Sequence, residues 1–323
     1  MDTFMIVVSL CALCIMSFLI VSLSLPPLVS KLSQVGRFRQ DLHKKETTMV
    51  PSSGGLSVLL GFCMGIMLTS LLGLDQKVLL VVYLVTLLAA IVGTVDDFLN
   101  LSKTTMILLT LLIGFTFVIH YQGSTAVVLP FLGKMDLGLW FWPLSMLGIA
   151  FLGNAVNIYS PLNGLEAGLG FITCFGLSVC ALIYGSFESA YALSLMGASL
   201  LAILRWDRYP SRVFIGNVGA YMIGTLMASS IIAGNIKVAG FISCIPYTAN
   251  FFLRATDKFR KYTATVLEDG LIVADAPKTL WSMFILHKPK SERTVVYYCW
   301  IVQALFSVAA IAYSFTEMVT RFD

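Results

Sequence analysis

Charge is scarce in this chain: Asp, Glu, Lys and Arg together make up 12% of 323 residues, against 58% hydrophobic residues and a mean hydropathy of +0.88. A soluble domain carries about 25% charge, so that class is excluded and a bilayer is the expected solvent. Histidine is scarcer still, and His43, His120 and His287 lie too far apart in sequence to nominate a zinc site. The seven cysteines are odd in number and all fall inside apolar runs, which excludes a disulfide framework. Even the CALC stretch at 11 to 14 sits mid-run with no histidine beside it, so it reads as packing rather than redox or metal chemistry. There is no low-complexity tract, internal repeat or separate soluble domain. The net charge of +4 is no argument for nucleic acid, because loop charge alone gives a membrane protein that excess, and no nucleic-acid partner is expected.

What the chain does have is apolar runs of spanning length. Ten are predicted, near 4 to 29, 54 to 73, 77 to 95, 104 to 121, 137 to 155, 166 to 185, 188 to 205, 213 to 234, 236 to 253 and 295 to 316. The first has no basic residue before it and no small-residue cleavage pattern behind it, so it reads as a retained helix with its start outside. The five odd-numbered loops then carry 5, 1, 0, 3 and 8 Lys plus Arg, 17 of the 21, and the positive-inside rule makes that face cytoplasmic. Only Lys77, Lys134, Lys237 and Arg321 fall on the other side. The fold expected is an all-α polytopic membrane protein of about ten helices. It forms one domain over 1–323, with a cytoplasmic loop at 254–294 holding a small β-hairpin and an interfacial helix.

Three polar stretches break the apolar pattern, and all three fall on the cytoplasmic face. GTVDDFLNLS at 93–102 ends span three, GNAVNIYSPLNG at 153–164 ends span five, and RWDRYPSRVFIGN at 205–217 opens span eight. An ionised Asp at mid-bilayer costs about 2.5 to 3.5 kcal/mol on insertion scales, a penalty largely avoided at a span's end. On a continued helix Asn100 would share a face with Asp96 and Asp97, as Asn154 and Asn157 share another. Asn100-Leu101-Ser102 also fits a glycosylation acceptor, but its cytoplasmic placement argues against modification.

The first loop combines Lys31, Arg37, Arg39, Lys44 and Lys45 with a Pro-Ser-Ser-Gly-Gly turn at 51–55, suited to close backbone approach to a ligand. The first three bases read as ordinary anchoring; Lys44 and Lys45 are candidates for phosphate contact. In the ninth loop, Asp269-Gly270 between β-rich runs predicts a hairpin, and Asp275 is expected to cap a helix entered through Pro277. The bases Arg254, Lys258, Arg260 and Lys261 before the hairpin suit a diphosphate, with lipid headgroups as the alternative for the first two.

Across nearly its whole length the sequence resembles the polyprenyl-phosphate N-acetylhexosamine-1-phosphate transferases. The nearest branch is the UDP-GlcNAc:dolichyl-phosphate GlcNAc-1-phosphotransferases of archaea and eukaryotes. The resemblance is carried by DLHKKETTMVPSSGG at 41–55, DDFLNL at 96–101, NAVNIYSPLNGLEAG at 154–168, YPSRVFIGN at 209–217 and SERTVV at 291–296. It implies transfer of GlcNAc-1-phosphate from UDP-GlcNAc to a membrane polyprenyl or dolichyl phosphate, with release of UMP, the first step of lipid-linked oligosaccharide synthesis for N-glycosylation. It implies magnesium, with manganese as a substitute, and a lipid bilayer, and it leaves room for a homodimer; the short chain points to an archaeal cell membrane rather than the endoplasmic reticulum. By resemblance Asp96 and Asp97 are the catalytic carboxylates, their division of labour open, and Asn157 and Asn217 hold the metal. Substrate contacts fall on Asp41, Leu42, Lys44, Ser52, Asn100, Lys103, Asn154, Asn163, Arg260 and Lys261.

Three positions depart from that pattern. Asn217 stands where relatives carry a metal-binding Asp, Met106 where eukaryotic relatives carry a Lys, and Ser52 where they carry a Glu. Metal affinity is expected to fall, leaving a catalytically impaired member as one alternative. An ion-coupled secondary transporter is the other, though such sites sit near mid-membrane in repeated halves.

Overall fold

The computed structural model describes residues 3–72, 74, 76–129, 133–260 and 262–322. The chain opens with α1 (Thr3–Gln34), the hairpin β1 (Phe38–Asp41) and β2 (Thr48–Pro51), then α2 (Gly55–Thr69), α3 (Gln76–Leu99) and α4 (Lys103–His120). A second hairpin, β3 (Ala126–Leu129) with β4 (Gly133–Asp136), precedes α5 (Phe141–Tyr159), α6 (Leu165–Ile183), α7 (Phe187–Asp207) and α8 (Gly216–Ala233). The rest is α9 (Lys237–Ser243), α10 (Ile245–Thr256), β5 (Thr265–Val266), β6 (Ile272–Val273), α11 (Leu280–Met283) and α12 (Glu292–Phe322). All three strand pairs are antiparallel, and only the last was predicted.

Among the described residues nine helices are long and apolar enough to cross a membrane. The predicted crossing over 236–253 is the exception, because it breaks at Cys244 into α9 and α10. Pro246 explains the break: it offers no N–H to the carbonyl of Ile242, and its ring collides with that carbonyl in a continuous helix. The broken segment still runs the full length of α4. Lys237 at its start donates to the Ala126 carbonyl beyond one end of α4 (3.0 Å), and Lys103 at the other end donates to the Phe259 carbonyl past α10 (2.6 Å). Among the described residues there are thus nine helices of spanning length where the sequence predicts ten, the stretch at 236–253 being split into two short helices.

Helix α8 is the hub, with 78% of its spanning window buried. Small residues let its neighbours close on it. A Cβ at Gly224 would stand 2.3 Å from the Leu152 carbonyl of α5, and one at Gly93 would stand 2.5 Å from the Asn217 carbonyl, so neither contact tolerates a side chain.

The Pro-Ser-Ser-Gly-Gly turn does permit close approach, but to protein backbone. Gly54 and Gly55 donate to the carbonyls of Phe214 and Ile215 (2.9 and 2.8 Å), and Phe214 donates back to Pro51 (2.8 Å). In the ninth loop the β5–β6 turn forms at Asp269-Gly270, with Gly270 at φ +80° and Asp269 Oδ1 accepting from the Leu271 N–H (3.0 Å). The helix after it differs from expectation. Thr279, not Asp275, caps it, because Thr279 and Ser282 form a reciprocal capping box, and α11 runs only four residues with Trp281 buried beneath it.

Candidate active site

Asp96 and Asp97 sit in the last turn of α3, where close packing on α8 brings them against the α8 N-terminus. Asp97 is fully buried and saturated with donors. Its Oδ1 accepts from Arg39 Nη2 and from the Asn217 N–H (both 3.0 Å); its Oδ2 accepts from Ser53 Oγ (2.7 Å) and the Val218 N–H (3.4 Å). The first turn of α8 thus meets its positive dipole end with a carboxylate. Gly216, at φ +77°, is required there, since a Cβ would lie 2.6 Å from Asp97 Oδ2.

Asp96 is arranged differently. Its Oδ1 accepts from the Leu101 N–H (2.8 Å) and its Oδ2 from Asn217 Nδ2 (2.5 Å). Asn100 does not continue the helix; it takes a left-handed conformation (φ +50°), which asparagine tolerates, and turns the chain so that Leu101 reaches back to Asp96.

From α5, Asn157 donates Nδ2 to the Tyr221 hydroxyl (2.9 Å), while Asn154 donates to Thr110 Oγ1 (2.9 Å) and the Ala150 carbonyl (2.8 Å). Both asparagines, Asn217 and Asp96 line a single cavity of about 930 Å³. Asp97 lies behind its wall. The cavity floor also presents Arg39, Ser52, Glu166 and Asp207, and Ser52 Oγ is buried there without a partner. Away from the floor the walls become apolar, with Met106, Leu111, Phe151 and Phe251 giving way to Ile107 and Leu147, which are 49% and 52% exposed on the helix surfaces. Leu42, Asn100 and Lys103 line the same cavity, and so does Arg254.

Asp41, Lys44 and Asn163 form a separate buried network. Lys44 Nζ bridges Asp41 Oδ2 (3.0 Å) and Glu292 Oε2 (2.6 Å). Asn163 Nδ2 donates to Asp41 Oδ2 (3.0 Å) and Glu292 Oε1 (2.6 Å), and its Oδ1 accepts from the Ser211 N–H (3.2 Å). Burial works against the Lys44 charge, but Glu292 and Asp41 outweigh it and raise the ammonium above its ordinary range. Beside it His43 accepts the Ala264 N–H at Nε2 (3.2 Å) and meets Trp281 edge to face. Burial lowers His43 to about 4, with Asp41 opposing and Lys44 adding to the shift.

The basic cluster of the ninth loop is turned inward in part. Arg254 donates to the Arg260 carbonyl and lies 3.8 Å from Asp257, while the Arg260 side chain is exposed. Lys261 lies outside the described residues. Of the residues that sequence reasoning passed over, Arg39, read as an anchor, joins the acid pair, and Glu292 unites Lys44 with Asn163. Glu292 was signalled by its place in the SERTVV stretch; nothing in the sequence set Arg39 apart from its basic neighbours.

The floor offers oxygen atoms of the kind that would hold a divalent cation. Asn157 and Asn217 spend their amide nitrogens on Tyr221 and Asp96, which leaves each an acceptor oxygen, and Asp96 adds a carboxylate; hard oxygens of this kind suit magnesium. No group of three His, Cys, Asp or Glu able to hold a metal is found among the described residues. The set is therefore poor in charge.

A family profile described as Glycosyl transferase family 4 matches residues 79–235, the stretch that carries the acid pair, the asparagines and the α8 N-terminus. A protein of Sulfolobus acidocaldarius with the provisional name UDP-N-acetylglucosamine–dolichyl-phosphate N-acetylglucosaminephosphotransferase is 28% identical over 309 residues, covering 93% of this chain and 94% of its own length. A Saccharolobus solfataricus protein of the same provisional name is 28% identical over 288 residues, 87% of this chain and 89% of its own. A phospho-N-acetylmuramoyl-pentapeptide-transferase of Synechococcus is 30% identical over 237 residues, 68% of this chain and 64% of its own. By these matches the chain is similar to glycosyl transferase family 4 over residues 79–235, and over most of its length to the two archaeal proteins.

Proposed function

We propose that this chain transfers GlcNAc-1-phosphate from UDP-GlcNAc to a membrane polyprenyl phosphate. In that reaction an oxygen of the lipid phosphate forms a bond to the sugar-bearing phosphorus of UDP-GlcNAc. The bridging P–O bond breaks, and UMP leaves with the bond's electron pair. One observation carries the reading: a single cavity joins a polar floor, with Asp96, Asn157 and Asn217, to an apolar corridor that reaches the lipid-facing surface of α4 and α5. An acceptor held in lipid and a donor dissolved in water can meet only in such a space. The names of the archaeal relatives support dolichyl phosphate and UDP-GlcNAc as the pair.

In this reading Asp96 is the reactive carboxylate, because it faces the cavity, and it orients the lipid phosphate or takes its proton. Asp97 positions Arg39, Ser53 and the α8 N-terminus. A bound magnesium ion, held by Asp96, Asn157 and Asn217, would neutralise charge on the two phosphates. Leu42, Ser52 and Asn100 shape the donor end, and Lys103 and Arg254 supply cations toward the lipid phosphate. Asp41, Lys44 and Asn163 brace the donor pocket from behind, and the exposed Arg260 supplies a further cation for the diphosphate. The excess of Lys and Arg in the odd-numbered loops supports a cytoplasmic site, and the archaeal relatives support an archaeal membrane.

The test is UMP release from UDP-GlcNAc by purified protein, with dolichyl phosphate and magnesium each supplied or withheld. Asp96→Asn is expected to lower the rate by at least about 100-fold at unchanged thermal stability. No UMP from the wild type under any combination would refute the reading. A low-turnover member has one observation in its favour, the Asn217 amide that already occupies Asp96 Oδ2. If it holds, Asn217→Asp raises magnesium-dependent transfer several-fold; an unchanged or lower rate removes that second reading.

A further inference from the structure

Arg39 is the cation that pairs with the acid pair among the described residues: Nη2 stands 3.0 Å from Asp97 Oδ1, and the same guanidinium lines the cavity floor that Asp96 faces. Its position is fixed by backbone. Arg39 lies opposite Val50 in the β1–β2 hairpin, and that hairpin is tied through Pro51 to Phe214, three residues before Asn217. The cation is therefore delivered to the floor as part of the scaffold. On the other side of the pair, the Asn217 amide donates to Asp96 Oδ2 (2.5 Å). The two carboxylates are thus met by one fixed positive charge and by neutral donors of the protein.

We propose that Arg39 is a built-in counter-cation that sets how tightly the floor binds a divalent ion. A guanidinium in contact with Asp97 lowers the negative potential at Asp96, the only carboxylate in the proposed donor set, and repels a dication placed there. Arg39 is a positioning residue in this scheme: it acts through the acid pair and tunes metal demand. The inference rests on the transferase reading for the purpose of the ion, but ion binding can be measured without turnover.

The experiment titrates full-length protein in detergent with Mn²⁺, following free ion by electron paramagnetic resonance, for wild type, Arg39→Gln and Arg39→Lys. Glutamine keeps an N–H for Asp97 and drops the charge; lysine keeps the charge. Arg39→Gln is expected to bind Mn²⁺ at least about tenfold tighter than wild type, and Arg39→Lys to stay near wild type. A role in shape alone would shift both variants together, or weaken binding in both, and either result overturns the proposal. Equal affinity in all three proteins overturns it as well. If Arg39→Gln is lost on purification, Arg39→Met takes its place as the neutral variant, and Mn²⁺ affinity equal to wild type in that variant refutes the proposal. Tightened Mn²⁺ binding without UMP release by any variant would instead sink the transferase reading and leave the counter-cation in place.

Discussion

Adjacent aspartates with the same charge and nearly the same backbone have been given different work by their neighbours. Four donors saturate Asp97, two of them backbone N–H groups of α8, whereas Asp96 keeps a face on the cavity. Asp97→Asn is therefore expected to cost stability as well as activity, since an amide nitrogen would point at one of those donors. Breaking a buried charged contact costs about 3 kcal/mol, and solvent exposure of Arg39 reduces this to roughly 2. Thermal unfolding in detergent should show a clear drop for Asp97→Asn and little change for Asp96→Asn; equal melting points would contradict the division. The sequence announced both carboxylates through their place at the end of an apolar run, but it could not divide their roles. That division depends on which helix face meets α8, and on a hairpin arginine 58 residues away.

At the scale of elements, the apolar runs made nine helices legible, because length and hydropathy alone dictate a spanning segment. The strand pairs β1–β2 and β3–β4 were not legible, since four-residue strands in polar loops carry no periodic signal. The bend between α9 and α10 was written in Pro246, whose meaning was masked by the apolar residues around it. The seam between the first and ninth loops gives a testable pH dependence. His43 falls to about 4 when folded and returns to about 6.5 when unfolded, so the unfolded chain binds the extra proton in that interval. Stability from this seam is full above about 6.5 and is lost as pH falls toward 4, by up to about 3 kcal/mol. Protection of the Ala264 amide, whose N–H the ring accepts, taken relative to its intrinsic exchange rate at each pH, should fall as pH drops through that range in wild type and lose this step in His43→Gln. A step that survives in the variant would clear His43 of the effect.

For the whole molecule, the charge asymmetry of the loops was the most informative quantity in the sequence, because it gathered three polar stretches onto one face before any contact was known. The structure brings α3, α5 and α8 together around one cavity at that face, while the network of Asp41, Lys44, Asn163 and Glu292 lay beyond sequence reasoning because its members are up to 251 residues apart. Orientation remains a prediction with a direct assay. A cysteine placed at Asp269 on the β5–β6 turn should react with a membrane-impermeant maleimide only in opened or inverted vesicles, and one at Ser124 only from outside the cell. The opposite labelling pattern would invert the protein and remove the cytoplasmic donor.

Glu292 opens the final helix, yet its carboxylate is what receives both Lys44 from the first loop and Asn163 from the fifth. That carboxylate lies 248 residues beyond Lys44 and 129 beyond Asn163, so the contacts behind the cavity close only when α12 packs. Without α12 the residues of the cavity floor are all present, while Lys44 and Asn163 lose the carboxylate they share. Late closure of this kind makes the first and fifth loops depend on α12 for their common partner.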